Sequence, residues 1–490
     1  MSSSFFNEIP SGIRVPFMTM EFDSSRAMQG TQAQPYRVLA IGQKLDTGIA
    51  EYNIPVRISK KGEAELQFGI SSMLAEMVDF YRRVDDVTEL WAIAVPDNSQ
   101  GLKAAASISF SGSVASPGIL YLYIAGNRVT LSVAAGDTAA DIAAALVDRI
   151  NNLPEMMVVA SQDTDVVKLE TKFAGEVGNT VDIRFNYNTG ETLPTGITTE
   201  ITGFAGGAGN PELDDAVAAV AGEWFNGFIS PYLDAHNLFL ITEELVRRWG
   251  PLVMQEGWLF SARRGTFGEL VDFGETRNSK HETIMHCHGI MESPWCVAAS
   301  VAANGMYYGN IDPARPFHTL QLIGIHAPAL QDRFSDFPEN NQLLYSGIST
   351  FSSGVDNTVT IGRLITTYRK NERGADDTAY LDVNTGLTLS YFRWAWRNHM
   401  YLKFPRHKLG NDNVRYAPGQ AIATPKSVKA ECVVLARDLE ERGILENVDL
   451  FVQELVVERD KADPDRLNFL MRPDLMNQFL VGAAQTQFYL

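Results

Sequence analysis

Five residues between positions 281 and 288 carry side chains that are common in metal sites and in acid/base catalysis: His281, Glu282, His286, Cys287 and His288. His281 and His286 are five residues apart, whereas zinc-binding helices place two histidines four apart on one face. On a strand, His286 and His288 would lie on the same side and Cys287 on the other. The spacing leaves two interpretations: a two-histidine metal site or, as we favour, core histidines that each bond to backbone or to a neighbour.

A second candidate is the basic, aromatic segment 391–408, which contains six aromatic residues and no acid. Its basic residues are Arg393, Arg397, Lys403, Arg406 and Lys408. Phe392, Trp396 and Met400 recur at helical spacing, so this pattern predicts that the aromatic rings face a core. Two interpretations of the basic face stay open, a solvated flank and a surface for an acidic protein partner, and both are favoured over single-stranded nucleic acid.

The three cysteines, Cys287, Cys296 and Cys432, are too few for a disulfide framework in a chain of 490 residues. We favour three buried thiols; the alternative is that they are inter-subunit thiols that cross-link neighbouring copies. The sequence contains no G-x-S-x-G, G-x-G-x-x-G, Gly-Lys or C-x-x-C motif. These absences remove the simple arguments for catalysis without excluding it, because catalytic triads are recognised by geometry rather than by order in the sequence. We expect no catalytic residues, no cofactor and no metal.

Charge and hydropathy narrow the class of protein. The chain has 41 basic and 59 acidic residues, a net charge of −18, which argues against nucleic acid as a partner and favours solubility at high copy number. No segment approaches the roughly 18 apolar residues of a membrane span, and the start of the sequence does not have the pattern of a secretion signal. We expect no membrane insertion and folding in a cytoplasm.

The elements that must position these groups alternate between strand and helix in most of the chain. Strand patterns at 38–41 and 90–95 and helical patterns at 235–249 and 293–303 predict an α/β core with parallel strands and crossover helices. Closely spaced short strands, with a hairpin turn at Gly126-Asn127, predict an inserted, mostly β segment. Near the end, the patterns predict a helix over 430–442 and a strand over 448–459.

Both ends of the chain read as β-strands joined to the body by polar linkers. Residues 24–34 are mostly Ser, Gln, Ala and Gly, and residues 479–490 carry almost no charge. A strand with an unpaired edge must find a partner in its own sheet or in the sheet of another copy. We therefore predict that the chain polymerises through inter-subunit strand arms, to which we assign Ile13, Val15, Phe17, Met20, Phe479, Val481 and Phe488.

Several segments, in this order, resemble the contractile-tail sheath proteins of bacteriophages, most closely the Mu-like type. They are Phe6-Asn7-Glu8-Ile9-Pro10, Arg14-Val15-Pro16, residues 37–42, Asn226-Gly227-Phe228 with Pro231-Tyr232, Asp312-Pro313-Ala314-Arg315-Pro316, Leu344-Tyr345-Ser346-Gly347-Ile348, and residues 363–368 and 436–447. Each is weak alone, but together they span nearly the whole chain.

The resemblance implies a fold with an α/β core of subtilisin-like, doubly wound topology without an active site. An inserted mostly-β domain, a C-terminal α+β domain and extended N- and C-terminal β-strand arms complete it. The expected boundaries are 1–35 for the N-terminal arm and linker, 36–103 plus 205–365 for the core, 104–204 for the insertion, 366–470 for the C-terminal domain, and 471–490 for the C-terminal arm.

The resemblance also implies partners and a structural function, so we predict a protein that is not an enzyme. Sheath proteins of this type stack as six-membered rings in a helical array around a tail tube, and they contract to drive the tube through the host envelope. The expected partners are copies of the chain itself, the tail tube protein, and the baseplate and tail terminator proteins. The expected location is the virion tail, assembled in the host cytoplasm. The C-terminal domain would face the tube, which gives Arg393 and Arg397 an acidic partner.

Two other functions compete with this one. An α/β hydrolase would need a pocket with a paired nucleophile and base. A viral surface or receptor-binding protein would fit the inserted β segment but not two strand-like arms.

Overall fold

The computed structural model describes residues 34–60, 62–417 and 419–489. The arm residues Ile13, Val15, Phe17 and Met20 lie outside these ranges. The described chain opens with β1 (Arg37–Gln43), β2 (Pro55–Ile58), α1 (Glu63–Phe68), α2 (Met73–Arg82) and β3 (Glu89–Val95). Helix α2 begins at its N-cap Ser72, whose hydroxyl accepts the Ala75 N–H at 3.1 Å, and its apolar face is buried.

The inserted segment forms two antiparallel sheets and one helix. Its elements are β4 (Lys103–Gly112), β5 (Gly118–Ile124), β6 (Asn127–Val133), α3 (Ala139–Asn151), β7 (Val158–Asp163), β8 (Val166–Ala174), β9 (Ile183–Phe185) and β10 (Ile197–Ala205). The strand orders are β10-β4-β8-β7 and β6-β5-β9. The β5–β6 turn consists of Ala125 and Gly126, both with positive φ, so the predicted turn at 126–127 is one residue late.

The chain then returns to the core with alternating helices and strands. These are α4 (Asp214–Ala219), β11 (Gly227–Ile229), α5 (Ala235–Trp249), β12 (Trp258–Arg263), α6 (Phe267–Glu275), β13 (Glu282–His286), α7 (Pro294–Ile311), α8 (Asn341–Tyr345), β14 (Thr350–Ser353) and β15 (Val359–Arg363).

The core sheet has six strands in the order β13-β12-β11-β1-β3-β2. All neighbours are parallel except β2 and β3. Gly227 faces Met306 of α7, while the next residue, Phe228, lies under Arg248 of α5, so helices cover both faces of the sheet. This confirms the predicted mixed α/β fold with several sheets. The subtilisin-like topology stays a prediction.

The C-terminal part packs around a second hydrophobic core. Its elements are α9 (Val383–Lys403), β16 (Lys408–Leu409), β17 (Ile422–Ala423), α10 (Pro425–Glu441), β18 (Leu445–Glu446), α11 (Val448–Glu454), β19 (Val456–Arg459), β20 (Leu467–Leu470) and β21 (Asp474–Leu475). Within the described ranges, no helix combines the length and apolarity of a membrane span.

The strand predicted over 448–459 is wrong in its first half, which is helix α11. Val448, Phe451 and Leu455 are all buried, and their spacing of three and four residues matches a helix rather than a strand. The Glu440 carboxylate accepts the Val448 N–H at 3.1 Å and so satisfies one of the free donors at the start of α11.

Candidate functional site

The crevice in which an α/β enzyme would hold its substrate is filled. Strand β1 has β3 on one side and β11 on the other, so the strand order reverses at β1. Open α/β sheets bind ligands where the order reverses, beyond the carboxyl ends of the strands. There, Gln43 donates to Asp97 at 2.7 Å and to the Ala174 carbonyl at 2.6 Å, and the Tyr232 hydroxyl donates to Gln43 at 3.2 Å. Gln43 and Tyr232 are fully buried, so residues of the core and the insertion close this crevice.

The histidines of the 281–288 cluster lie in strand β13 and directly beside it. In the described ranges, no three His, Cys, Asp or Glu side chains are arranged to hold a metal ion. His281 and His286 are buried, and burial lowers the pKa of each to about 3, so both rings are neutral. The ring nitrogens of His286 have no protein hydrogen-bond partner, so the expectation that each core histidine is bonded to backbone or a neighbour is wrong for His286.

All three cysteines are buried and unpaired. Burial raises the pKa of Cys287 to about 11, raises that of Cys296 well above its usual value, and raises that of Cys432. Disulfide exchange requires an accessible thiolate. The structure therefore agrees with three buried thiols, and inter-subunit thiols, which stay a prediction, would require local unfolding to expose them.

Arg393 does not belong to an open basic surface. Its guanidinium donates to Glu256 at 2.6 Å and to the Trp249 carbonyl at 2.9 Å, and it lies over the Trp249 ring. Glu256 is 1% exposed, so it depends on this partner. Burial raises the pKa of Glu256, and the charges of Arg393 and Arg397 oppose that rise. The face of α9 that carries Arg393 packs against the core, which argues against the prediction that Arg393 faces a partner.

The exposed basic residues of this domain lie further along, where α9 ends. Lys403, Arg406, Lys408 and Arg415 are all exposed, and we call them the basic loop. Tyr401 and Leu402 beside them are 72% and 77% exposed. Three of the four lie in the basic, aromatic segment 391–408, whereas Arg415 follows it in a stretch without a comparable pattern. Arg397 is only half-buried, so it can contribute to the same surface.

The C-terminal arm leaves the body after a short stretch of pairing. Strand β21 pairs with β18, and the Met476 N–H donates to the Ile444 carbonyl at 3.1 Å. Beyond Asn477, no hydrogen bond joins the described arm residues 478–489 to the body. Phe479, Val481 and Phe488 are 86%, 82% and 79% exposed. An extended apolar segment with free backbone groups is suited to pairing with another chain.

A complementary strand edge is present in the same domain. Strands β19 and β20 form a two-stranded antiparallel sheet, which has no third strand in the described ranges. A two-stranded sheet alone is marginally stable and leaves an unpaired row of N–H and C=O groups on each side. The domain therefore carries an exposed strand-like arm and an open sheet edge.

The tip of the insertion packs against an ion pair of the core. His326 pairs with Glu292, which is 2% exposed and also accepts the His326 N–H at 3.0 Å. The turn at Gly126 lies so close that a Cβ there would be 2.7 Å from the Glu292 carboxylate. The Tyr187 hydroxyl donates to the Ala327 carbonyl at 2.9 Å. We call this contact the insertion latch.

The insertion latch is expected to weaken as the pH rises. The hydrogen bond to Glu292 raises the pKa of His326, so the folded state holds the proton more tightly than the unfolded chain. This contribution is complete below the unfolded pKa and is lost as the pH rises through the folded pKa. As the pH rises from about 6 through the raised pKa of His326, amide protection of the β5–β6 hairpin, corrected for intrinsic exchange, should fall several-fold. A Glu292→Gln variant should lack this dependence; an unchanged profile would contradict the assignment.

Two comparisons of the sequence with known proteins agree. Two family profiles match: phage tail sheath protein central domain over residues 206–367, and phage tail sheath C-terminal domain over residues 375–488. The Mu-like prophage FluMu tail sheath protein of Haemophilus influenzae is 40% identical over 485 residues, 99% of each chain. Two crystal structures of sheath tail proteins are similar. The protein from Desulfitobacterium hafniense has a TM-score of 0.48 and 13% sequence identity, and the match covers 95% of this chain and 100% of that protein. The protein from Listeria innocua has a TM-score of 0.45 and 11% sequence identity, and the match covers 90% of this chain and 96% of that protein.

Proposed function

This chain belongs to the phage tail sheath protein family, and on that premise we propose that it polymerises as stacked six-membered rings around a tail tube and contracts to drive the tube through the host envelope. The family is one of structural proteins of the virion tail, not of enzymes. Assembly in the host cytoplasm, and contacts with baseplate and tail terminator proteins, are parts of the same proposal.

The observation that supports this function most is the C-terminal arm. Its apolar side chains are exposed, and its backbone has no partner in the body. We propose that the arm adds a strand to a neighbouring copy at the open edge of the β19–β20 sheet, and that residues 1–35 act in a similar way.

Negative-stain micrographs of the purified chain should show tubes. Dispersed particles at every salt and protein concentration would contradict polymerisation.

The division into domains is also proposed. The core would comprise residues 36–103 and 205–365 with subtilisin-like topology, and residues 104–204 would decorate the outside of the sheath. Residues 366–470 would face the tube, and residues 471–490 would form the arm.

The hydrolase alternative finds no support in the crevice beyond β1, which is filled by Gln43 and Tyr232. A receptor-binding function leaves the exposed arm without a role.

We propose that the basic loop, rather than Arg393, contacts an acidic surface of the tail tube. Reversing two exposed charges, Arg406→Glu with Lys408→Glu, should weaken binding of the tube protein of the same phage by roughly tenfold or more, since attraction becomes repulsion. Co-sedimentation of the two purified proteins, at two salt concentrations, would measure it.

The matched control for the tube contact changes two exposed basic residues of the insertion, Arg149→Glu with Lys168→Glu. This control alters the net charge by the same amount on the surface that is proposed to face outward. Its binding to the tube protein should be unchanged. Equal losses in both variants would mean that only net charge matters and would refute the basic loop as the contact.

A further inference from the structure

A pocket with several apolar walls opens beside the root of the C-terminal arm. It lies between helix α8, the segment that follows β15 and the loop before α9, and its volume is about 390 Å³. Its lining includes Ile365, which is fully buried, together with Leu344 and Leu381. Tyr345, which is 73% exposed, extends this lining to the protein surface. The pocket is therefore apolar inside and accessible from outside.

Most of the charged and polar groups of this pocket have partners within the chain. Arg363 donates to the Asp382 carboxylate at 2.9 and 3.0 Å, and the Tyr368 hydroxyl donates to Asp377 at 2.7 Å. The second arginine of the lining donates to two backbone carbonyls. The remaining carboxylate, that of Asp376, belongs to an exposed residue. An apolar occupant would gain burial without taking these groups from their partners.

The pocket adjoins the groove along the root of the arm. Arg363 and Thr378 line both, and the groove is also lined by the start of α9 and by residues 474–481. Further along α9, Trp396 contacts Phe469 of β20, in the sheet to which a neighbouring arm is proposed to add. The distance along α9 from its start to Trp396 is about 20 Å. The sheet, the root of the arm and the pocket therefore lie along one helix.

The arm of another copy has the length and the side chains to reach this pocket. Fully extended, residues 478–489 span about 40 Å, roughly twice that distance along α9. They carry no charged side chain. Phe479 and Val481 line the groove of their own copy, whereas Phe488 lies near the far end of the arm and is 79% exposed. An uncharged arm with an exposed aromatic ring is complementary to an apolar pocket.

We propose that Phe488 of one copy fills this pocket of a neighbouring copy and anchors the arm there. The inference rests on the proposed polymerisation and adds a side-chain anchor to the strand pairing at β19–β20. Main-chain hydrogen bonds give a strand affinity, whereas pockets for its side chains give specificity and fix its register. Buried aromatic residues also contribute a large share of the binding energy of an interface.

A photo-cross-linking residue in place of Tyr345 tests the contact in tubes of the full-length chain. Benzoylphenylalanine is similar to tyrosine in shape, and position 345 is exposed, so the fold should tolerate it. Tubes made from isotope-labelled and unlabelled copies show which cross-links join different copies. Mass spectrometry should find cross-links between copies from position 345 to the end of the arm around Phe488. Cross-links only within one copy, or only to other segments, would overturn the anchor.

Serine variants measure the contribution of the anchor to assembly without the tube protein. Phe488→Ser should raise the protein concentration needed for half-assembly by roughly tenfold or more, and Tyr345→Ser by several-fold. The double variant should be no worse than Phe488→Ser alone, because both changes remove the same contact. The matched control Tyr401→Ser changes a tyrosine that is 72% exposed and should assemble as the wild type does. Fully additive losses in the double variant would contradict the contact.

The anchor and the proposed function fail in different ways. If the wild type forms no tubes under any condition, polymerisation is wrong and the anchor with it. If Phe488→Ser forms tubes as readily as the wild type, while deletion of residues 478–490 prevents them, assembly through the arm stands and only the anchor is wrong.

Discussion

A chain without residues 478–490 is expected to remain a folded, dispersed subunit under conditions in which the full-length chain forms tubes. Deletion should not unfold the body, because the described residues 478–489 form no hydrogen bond with it. Burying one large apolar side chain contributes about 1.5–3 kcal/mol, so loss of three removes roughly 5 kcal/mol or more from each contact between copies. Sedimentation velocity and negative-stain micrographs would measure the loss of polymer.

Point variants separate the chemistry of the arm from its length. Phe479→Ser, Val481→Ser and Phe488→Ser together should prevent assembly as the deletion does. The control Gln485→Ala with Gln487→Ala alters polar positions of the same arm and should still form tubes. Assembly by the deletion variant, with an unchanged circular dichroism spectrum, would show that the arm does not join neighbouring copies.

Strand pairing through arms also accounts for how a proposed contractile array would stay intact. Subunits that slide and rotate cannot rely on one rigid interface between their bodies. The composition of residues 24–34, mostly Ser, Gln, Ala and Gly, is typical of linkers, and a linker can keep a strand paired while the body moves and the effective concentration of the tethered body stays high. The extended array would be a kinetically trapped state, and the bodies would form better contacts after contraction.

The elements with a strong hydrophobic period could be predicted from the sequence. Helix α5 spans residues 235–249, as its amphipathic pattern predicts, and the buried strands β1 and β3 contain the predicted runs. Helix α7 extends eight residues beyond its predicted end at 303, to Ile311. It is buried on nearly all sides, so it has no polar face and its sequence shows no contrast that marks its end.

The roles of individual charged residues could not be predicted in the same way. The sequence places Arg393 and Arg397 on one side of a helix, but only the packing of α9 on the core brings Arg393 to Glu256, 137 positions earlier. Similarly, the spacing of His286 and His288 predicts a shared side, whereas the pocket they line is completed by residues from 333–340 and from β14. Contacts between residues distant in sequence decide which charged side chains are paired within the fold and which are exposed to solvent.

Arg393→Met is expected to destabilise the protein by about 3 kcal/mol, because it leaves the carboxylate of Glu256 buried and unpaired. A chain of several domains does not unfold in a single transition, so the loss of stability should be confined to the C-terminal part. Residue-resolved hydrogen exchange measures such local stability and is the appropriate experiment. Arg393→Glu should be worse, since it places a second carboxylate beside Glu256. The two substitutions would therefore impair assembly through folding rather than through a lost contact with the tube.

The pH dependence and a double variant test this account. Without the charge of Arg393 to oppose it, burial raises the pKa of Glu256 further. Lowering the pH through this raised pKa protonates Glu256, so the difference in free energy of unfolding between the variant and the wild type should become smaller. Adding Glu256→Gln to Arg393→Met should recover about half of the lost stability, because a neutral amide is less costly to bury. The matched control Arg397→Met, four residues along α9, should cost less than about 1 kcal/mol. An equal loss in Arg397→Met, or no recovery in the double variant, would mean that Arg393 acts only through the packing of its side chain.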